Sequence, residues 1–124
     1  MKLGIVGYRN YNNYEEFKQV INYIITLYQK PEIIISGGHT DKYGNTKPGT
    51  DTLAWLYANE YKIPIIEHEA SWKMYGRAAG PIRNKLIIND SSILVAFVSP
   101  SSVGTLNSIT LAEDKGIIVH KINI

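Results

Sequence analysis

The chain has 124 residues, 44% of them hydrophobic and 19% charged, with a formal net charge of +2. That balance fits one soluble globular domain with a real core and excludes a disordered or low-complexity chain. The absence of cysteine excludes disulfides, thiolate metal sites and a cysteine nucleophile, and no apolar run approaches the ~20 residues of a membrane span.

In chain order, KLGIVG (2–7) is a short apolar run that predicts a buried strand. Met1 leads straight into it without a signal-peptide pattern, so the cytoplasm is the expected location. Over 13–30, Phe17, Val20, Ile21, Ile24, Leu27 and Tyr28 are spaced for one helix face, with Asn13 and Glu16 as a capping box and Pro31 at the exit. EIIISGG (32–38) predicts a second strand, and the polar stretch 39–49 a loop. A second helix is expected over 50–62 and a third strand over 63–68, placed at a sheet edge by Pro64. After a loop, Gly80-Pro81 opens a third helix to about Asn89, since proline suits a first turn. SILVAFV (92–98) is the most hydrophobic strand and is expected at the sheet centre; a helix over 105–115 and a strand over 117–124 follow.

Strands and helices alternate, and the strands are continuously apolar, which predicts a parallel sheet covered by helices on both faces. In such sheets ligands lie beyond the carboxyl ends of the strands, where strand order reverses. Unusual residues collect at those ends: Gly7-Tyr8-Arg9, Ser36-Gly37-Gly38 and Gly104-Thr105. Glycine at a strand-to-helix turn lets backbone N–H groups approach an anion. An ordinary turn with Thr105 as helix cap explains the last segment equally well. A charge on Arg9 at the end of a buried strand calls for a partner, with a ligand anion favoured over a carboxylate. Asp51 is either a helix cap or an acceptor for ribose hydroxyls.

The chain contains only three arginines, Arg9, Arg77 and Arg83, against ten lysines. Two lie within YGRAAGPIRNKLI (75–87), among small residues that permit close backbone approach. The planar donor fork of arginine suits phosphate or carboxylate. His39, His68 and His120 lack metal-ligand spacing, and only His39 is placed to reach a pocket. Trp72 and Tyr75 are candidates for stacking on a base or for plain packing. No G-x-G-x-x-G follows the first strand, and neither a Walker A lysine motif nor a Gly-x-Ser-x-Gly elbow occurs.

Gly7-Tyr8-Arg9, Ser36-Gly37-Gly38, Gly49-Thr50-Asp51 with Leu53-Ala54, Trp72, GRAAGPIRN (76–84) and Gly104-Thr105 resemble, in order, the motifs of the SLOG superfamily in its YspA/YpsA-related branch. The chain departs from that pattern at Tyr8, where serine is usual, and in a longer polar insert from Thr40 to Pro48. The resemblance implies one doubly wound Rossmann-like domain over 1–124, with a five-stranded parallel sheet in the order 3-2-1-4-5. It further implies a nucleotide or nucleotide-derived ligand held by Gly7, Tyr8, Arg9, Ser36, Gly37, Gly38, Asp51, Gly80, Arg83, Asn84, Gly104 and Thr105. Arg77 is expected as a rim charge. No metal or separate cofactor is expected, and pairing of copies is implied by analogy.

Two relatives suggest other activities. Phosphoribohydrolases of the "Lonely guy" group cleave the base from nucleoside monophosphates with a Pro-Gly-Gly-x-Gly-Thr-x-x-Glu motif. Here Gly104-Thr105 matches, but the first glycines and the glutamate do not; hydrolysis would need another carboxylate, for which Asp51 and Glu113 are the candidates, Glu113 lying two turns further along the helix. Single-stranded DNA binding, as in the DNA-processing protein A family, ranks third, because a net charge of +2 with Glu67 and Glu69 makes a weak basic groove.

Overall fold

The computed structural model describes residues 1–124. Five strands, β1 (Lys2–Gly7), β2 (Ile33–Gly37), β3 (Ile65–His68), β4 (Ile93–Val98) and β5 (Ile118–Asn123), form one sheet in the order β3-β2-β1-β4-β5. Every neighbouring pair is parallel. The fold is therefore a Rossmann-like α/β sheet, with strand order reversing between β1 and β4.

Side chains of a strand alternate between faces, and here both faces are buried. Leu3 and Ile5 of β1, with Ile93, Val95 and Phe97 of β4, join one core cluster. Helices α1 (Tyr14–Tyr28) and α2 (Thr50–Glu60) close it with Phe17, Ile21 and Ile24 and with Leu53, Ala54 and Tyr57. Phe17 stacks on Phe97 at 5.1 Å between ring centroids. Val6, Leu94, Ala96 and Val98 face the opposite way, against Ile87 and Ile88 of α4 (Ala79–Asp90) and Ile109 and Ala112 of α5 (Val103–Lys115).

Several local details differ from expectation. β4 is an interior strand, as its hydrophobicity implied, buried along its length because β1 and β5 flank it; the middle strand of the five is β1. Asn13 caps α1 by accepting from the Glu16 N–H, but the Glu16 carboxylate takes the Tyr11 hydroxyl at 2.5 Å, so the capping box stays half formed. The helix stops at Tyr28 because Gln29 adopts φ 72°. A short helix, α3 (Trp72–Tyr75), and a 3-10 turn (Gly76–Ala78) occupy part of the expected loop before α4. Four helical residues are too few for apolar periodicity to reveal. The edge position of β3 agrees with Pro64. No helix is long and apolar enough to cross a membrane.

Candidate functional site

A cleft of about 1490 Å³ opens over the carboxyl ends of β1, β2 and β4. Of the residues expected at a site, Gly7, Tyr8, Arg9, Gly38, Asp51, Gly80, Arg83, Asn84, Gly104 and Thr105 line it. Ser36 and Gly37 do not line it. The Ser36 hydroxyl is buried and donates to the Gly37 carbonyl at 3.1 Å.

Gly37 is the hinge of the arrangement. Its N–H donates to Asp51 Oδ1 at 3.3 Å. A methyl added at Gly37 would lie 2.5 Å from Asp51 Oδ2 and 2.8 Å from Arg83 Nη1. Glycine is thus what lets a carboxylate from α2 and a guanidinium from α4 converge over the end of β2. Asp51 is consequently no helix cap: Gly49 takes that position, and the aspartate reaches across to β2. Burial pushes the Asp51 carboxyl above the ordinary carboxylate range, against the opposing charges of Arg83 and Lys47 and the Gly37 N–H. Its Oδ2 accepts no hydrogen bond within the chain.

The Arg83 side chain is held at one end only. Its Nε donates to Asn84 Oδ1 at 3.0 Å, and no carboxylate lies within 4.0 Å of its fork. Buried Asn84 in turn donates to the Gly104 carbonyl at 3.3 Å and to Asn107 Oδ1 at 3.1 Å. This chain of bonds ties α4 to the first turn of α5 and holds Arg83 at the cleft wall, its Nη1 beside Gly37 and Asp51.

Helix α5 begins at Val103, two residues before the expected start, and Ser102 replaces Thr105 at the cap. The Ser102 hydroxyl is engaged by the Ser99 N–H at 3.0 Å and by the Ser99 hydroxyl at 2.9 Å. The cap therefore braces the β4–α5 turn and leaves the helix end uncovered. The N–H groups of Gly104 and Thr105 find no acceptor in the chain, as expected for a helix first turn open to a ligand. A methyl at Gly104 would meet nothing within 4 Å. Packing does not explain a glycine there.

Gly7 has a different reason. A methyl on it would lie 2.5 Å from Thr50 Oγ1 and 2.8 Å from the Phe97 Cβ, so the residue seats α2 against β1. Gly49, at φ 123°, passes the Arg9 carbonyl so closely that a methyl would lie 2.2 Å from its oxygen. Gly38 faces Glu69, whose Cγ would be 2.6 Å from an added methyl.

Arg9 is exposed on the cleft rim with no ion pair, so burial does not compel it to find a partner. Arg77 is exposed and lies outside the cleft lining. Glu113 is exposed on a late turn of α5 and also outside it, which removes it as a substitute carboxylate for a reaction in the cleft. His39 stacks on Trp55 at 4.2 Å and bonds Glu67 at 2.6 Å, and does not line the cleft. His68 bonds Asp90 and His120 bonds Tyr28. No cluster of three or more His, Asp or Glu side chains suited to a metal forms.

Trp72 lines the cleft with its side chain 60% exposed, its Cη2 lying 3.4 Å from where a Gly80 methyl would sit. Tyr75 is exposed but stands outside the lining. The structure adds Lys42, Lys47, Lys73 and Asn107 to the cleft. Asn107 was legible in principle, three residues beyond Gly104 and so on the same helix face. The lysines carried no such signal. Comparison of the chain with protein-family models, curated proteins and solved structures returns no match.

Proposed function

We propose that the cleft binds a nucleotide or nucleotide-derived ligand, in a sensing or sequestering role, with a phosphate group held at the start of α5. The observation that carries this reading is the pairing of two partnerless N–H groups, on Gly104 and Thr105, with an Arg83 fork that lines the same cleft and makes no carboxylate contact within 4.0 Å. Such donors bind phosphate by charge-assisted hydrogen bonds reinforced by the helix dipole. Exposed Trp72 offers a flat apolar face for a base. The SLOG-like order of motifs supports the same reading.

The test combines melting scans with calorimetric titration of nucleoside monophosphates, since a ligand selective for the folded state raises its melting temperature. Arg83→Ala is expected to weaken binding about 10- to 150-fold, the loss of one charge-assisted bond. The unliganded variant should melt below the wild type, because Arg83 is the main charge opposing the burial of Asp51, so the affinity is read by titration and not from the melting temperature of the free protein. Unchanged affinity in Arg83→Ala, or no melting shift with any nucleotide, refutes the reading.

One observation favours a second reading, hydrolysis of the bond between base and ribose. The Asp51 carboxylate lines the cleft with one oxygen unpartnered, where it would stabilise developing positive charge on the sugar. Free base would then appear on chromatography of wild-type incubations, and Asp51→Asn would abolish it while binding persisted. Pairing of two copies would have exposed apolar side chains at its disposal, among them Ile82 and Leu86 on α4 and Leu106 on α5.

A further inference from the structure

The polar stretch at which the chain departs from the SLOG-like pattern is an ordered hairpin. Thr40 and Thr46 form an antiparallel bridge. The Asp41 carboxylate accepts the N–H groups of Tyr43 and Asn45 at 2.8 and 3.0 Å, closing the turn. The base is clamped as well: the Lys47 N–H donates to the His39 carbonyl at 3.0 Å, and the Thr52 hydroxyl donates to the Lys47 carbonyl. His39 itself is locked between Trp55 and Glu67.

This construction delivers two cations to the cleft. Lys42 and Lys47 both line it, and neither has a carboxylate within 4.0 Å. With Arg9, Lys73 and Arg83 the lining holds five cationic side chains against three acidic ones, Asp41, Asp51 and Glu69. Asp41 makes no salt bridge with either hairpin lysine, its Oδ1 accepting the two N–H groups of the turn. Five cations against three carboxylates leave a surplus of two positive charges around one concavity, even with Arg83 and Lys47 opposing the charge of Asp51.

Position separates the hairpin lysines from the start of α5, with the Arg83 guanidinium reaching the end of β2 between them. The hairpin follows β2 and the Gly104 turn follows β4, with β1 between them. At ~4.8 Å between neighbouring strands, the carboxyl ends of β2 and β4 stand about 10 Å apart. The cleft also exceeds the ~300–1,000 Å³ of ordinary small-molecule sites. A phosphate seated on α5 leaves the hairpin lysines facing unoccupied volume.

We infer that the hairpin is a second anion-binding arm, and that the ligand is a nucleotide carrying at least two phosphoryl groups, one on α5 and Arg83 and the next toward Lys42 and Lys47. The inference rests on the nucleotide reading above and names which nucleotides that site selects.

The test is calorimetric titration of wild type and of Lys42→Ala/Lys47→Ala with adenosine 5′-monophosphate, adenosine 5′-diphosphate, inorganic phosphate, pyrophosphate and a short single-stranded oligothymidylate. Wild type is expected to bind the diphosphate about tenfold or more tightly than the monophosphate, and pyrophosphate similarly better than phosphate. The double variant should erase that preference and leave monophosphate affinity within about twofold of wild type. Lys42→Arg/Lys47→Arg should retain the preference, which separates lost charge from a damaged hairpin.

Equal affinities for mono- and diphosphate in wild type overturn the inference while leaving the nucleotide reading intact. A double variant that weakens both nucleotides equally also overturns it. Oligothymidylate binding more tightly than any mononucleotide, with the same dependence on the lysines, replaces it with a nucleic-acid site. No binding of any nucleotide removes both readings together.

Discussion

Replacing Gly104 by alanine should move stability and binding in opposite directions. Gly104 lies in the first turn of α5, and a methyl there meets no protein atom within 4 Å. Alanine is favoured over glycine in a helix by roughly 0.5–1 kcal/mol, and a first-turn position takes the lower end of that range. For a chain of this length the gain corresponds to a melting temperature higher by ~2–5 °C. The same methyl would stand beside the N–H groups proposed to receive phosphate. Crowding of that kind costs about 1–3 kcal/mol, or roughly 5- to 150-fold in affinity. Differential scanning calorimetry of the unliganded variant and calorimetric titration with a nucleotide read the two effects separately. A variant that melts lower than wild type would show that Gly104 is needed by the fold. One that melts higher and still binds normally would show that the start of α5 is no phosphate site. Either result breaks the reasoning.

Further expectations concern the neighbours of that turn. Burial raises the Asp51 pKa, so the folded state holds its proton more tightly than the unfolded chain does, and wild-type stability falls as pH rises from the ordinary value of 3.8 through the folded one. Asp51→Asn should therefore be more stable than wild type at pH 8, with the advantage shrinking as pH approaches 4 in urea unfolding series; a variant less stable at pH 8 contradicts the burial argument. Gly49→Ala combines a left-handed φ of 123° with a methyl 2.2 Å from the Arg9 carbonyl oxygen. It should lose about 3 kcal/mol or more by chemical denaturation, and a loss below ~1 kcal/mol would mean that the loop yields easily.

Much of the fold is legible in the residues themselves, and particular elements show where that stops. KLGIVG and SILVAFV read as buried strands because both faces of a covered parallel sheet demand continuous apolar residues, and Phe17, Ile21 and Ile24 read as a helix face by spacing alone. The glycines that follow or end β1, β2 and β4, and Arg9 after β1, lie at the carboxyl end of the sheet, as their place in the chain implies. Which of them meet is another matter. Asp51 looks like a helix cap until Gly37 brings β2 within reach of it, and Thr105 looks like one until Ser102 takes the position. Arg9 and Arg83 are equally charged in the chain; only packing leaves Arg9 on the open rim and ties Arg83 through Asn84 to α5.

The sequence by itself determined the order and type of the elements, because strand alternation, helical periodicity and turn chemistry act between residues a few positions apart. Only the tertiary structure decided that a polar insert would fold into a hairpin carrying Lys42 and Lys47 to the cleft, and that Glu113 would face away from it. The hairpin is closed by local bonds, but its place over the cleft depends on contacts between residues distant in the chain, which form only once the sheet has brought them together.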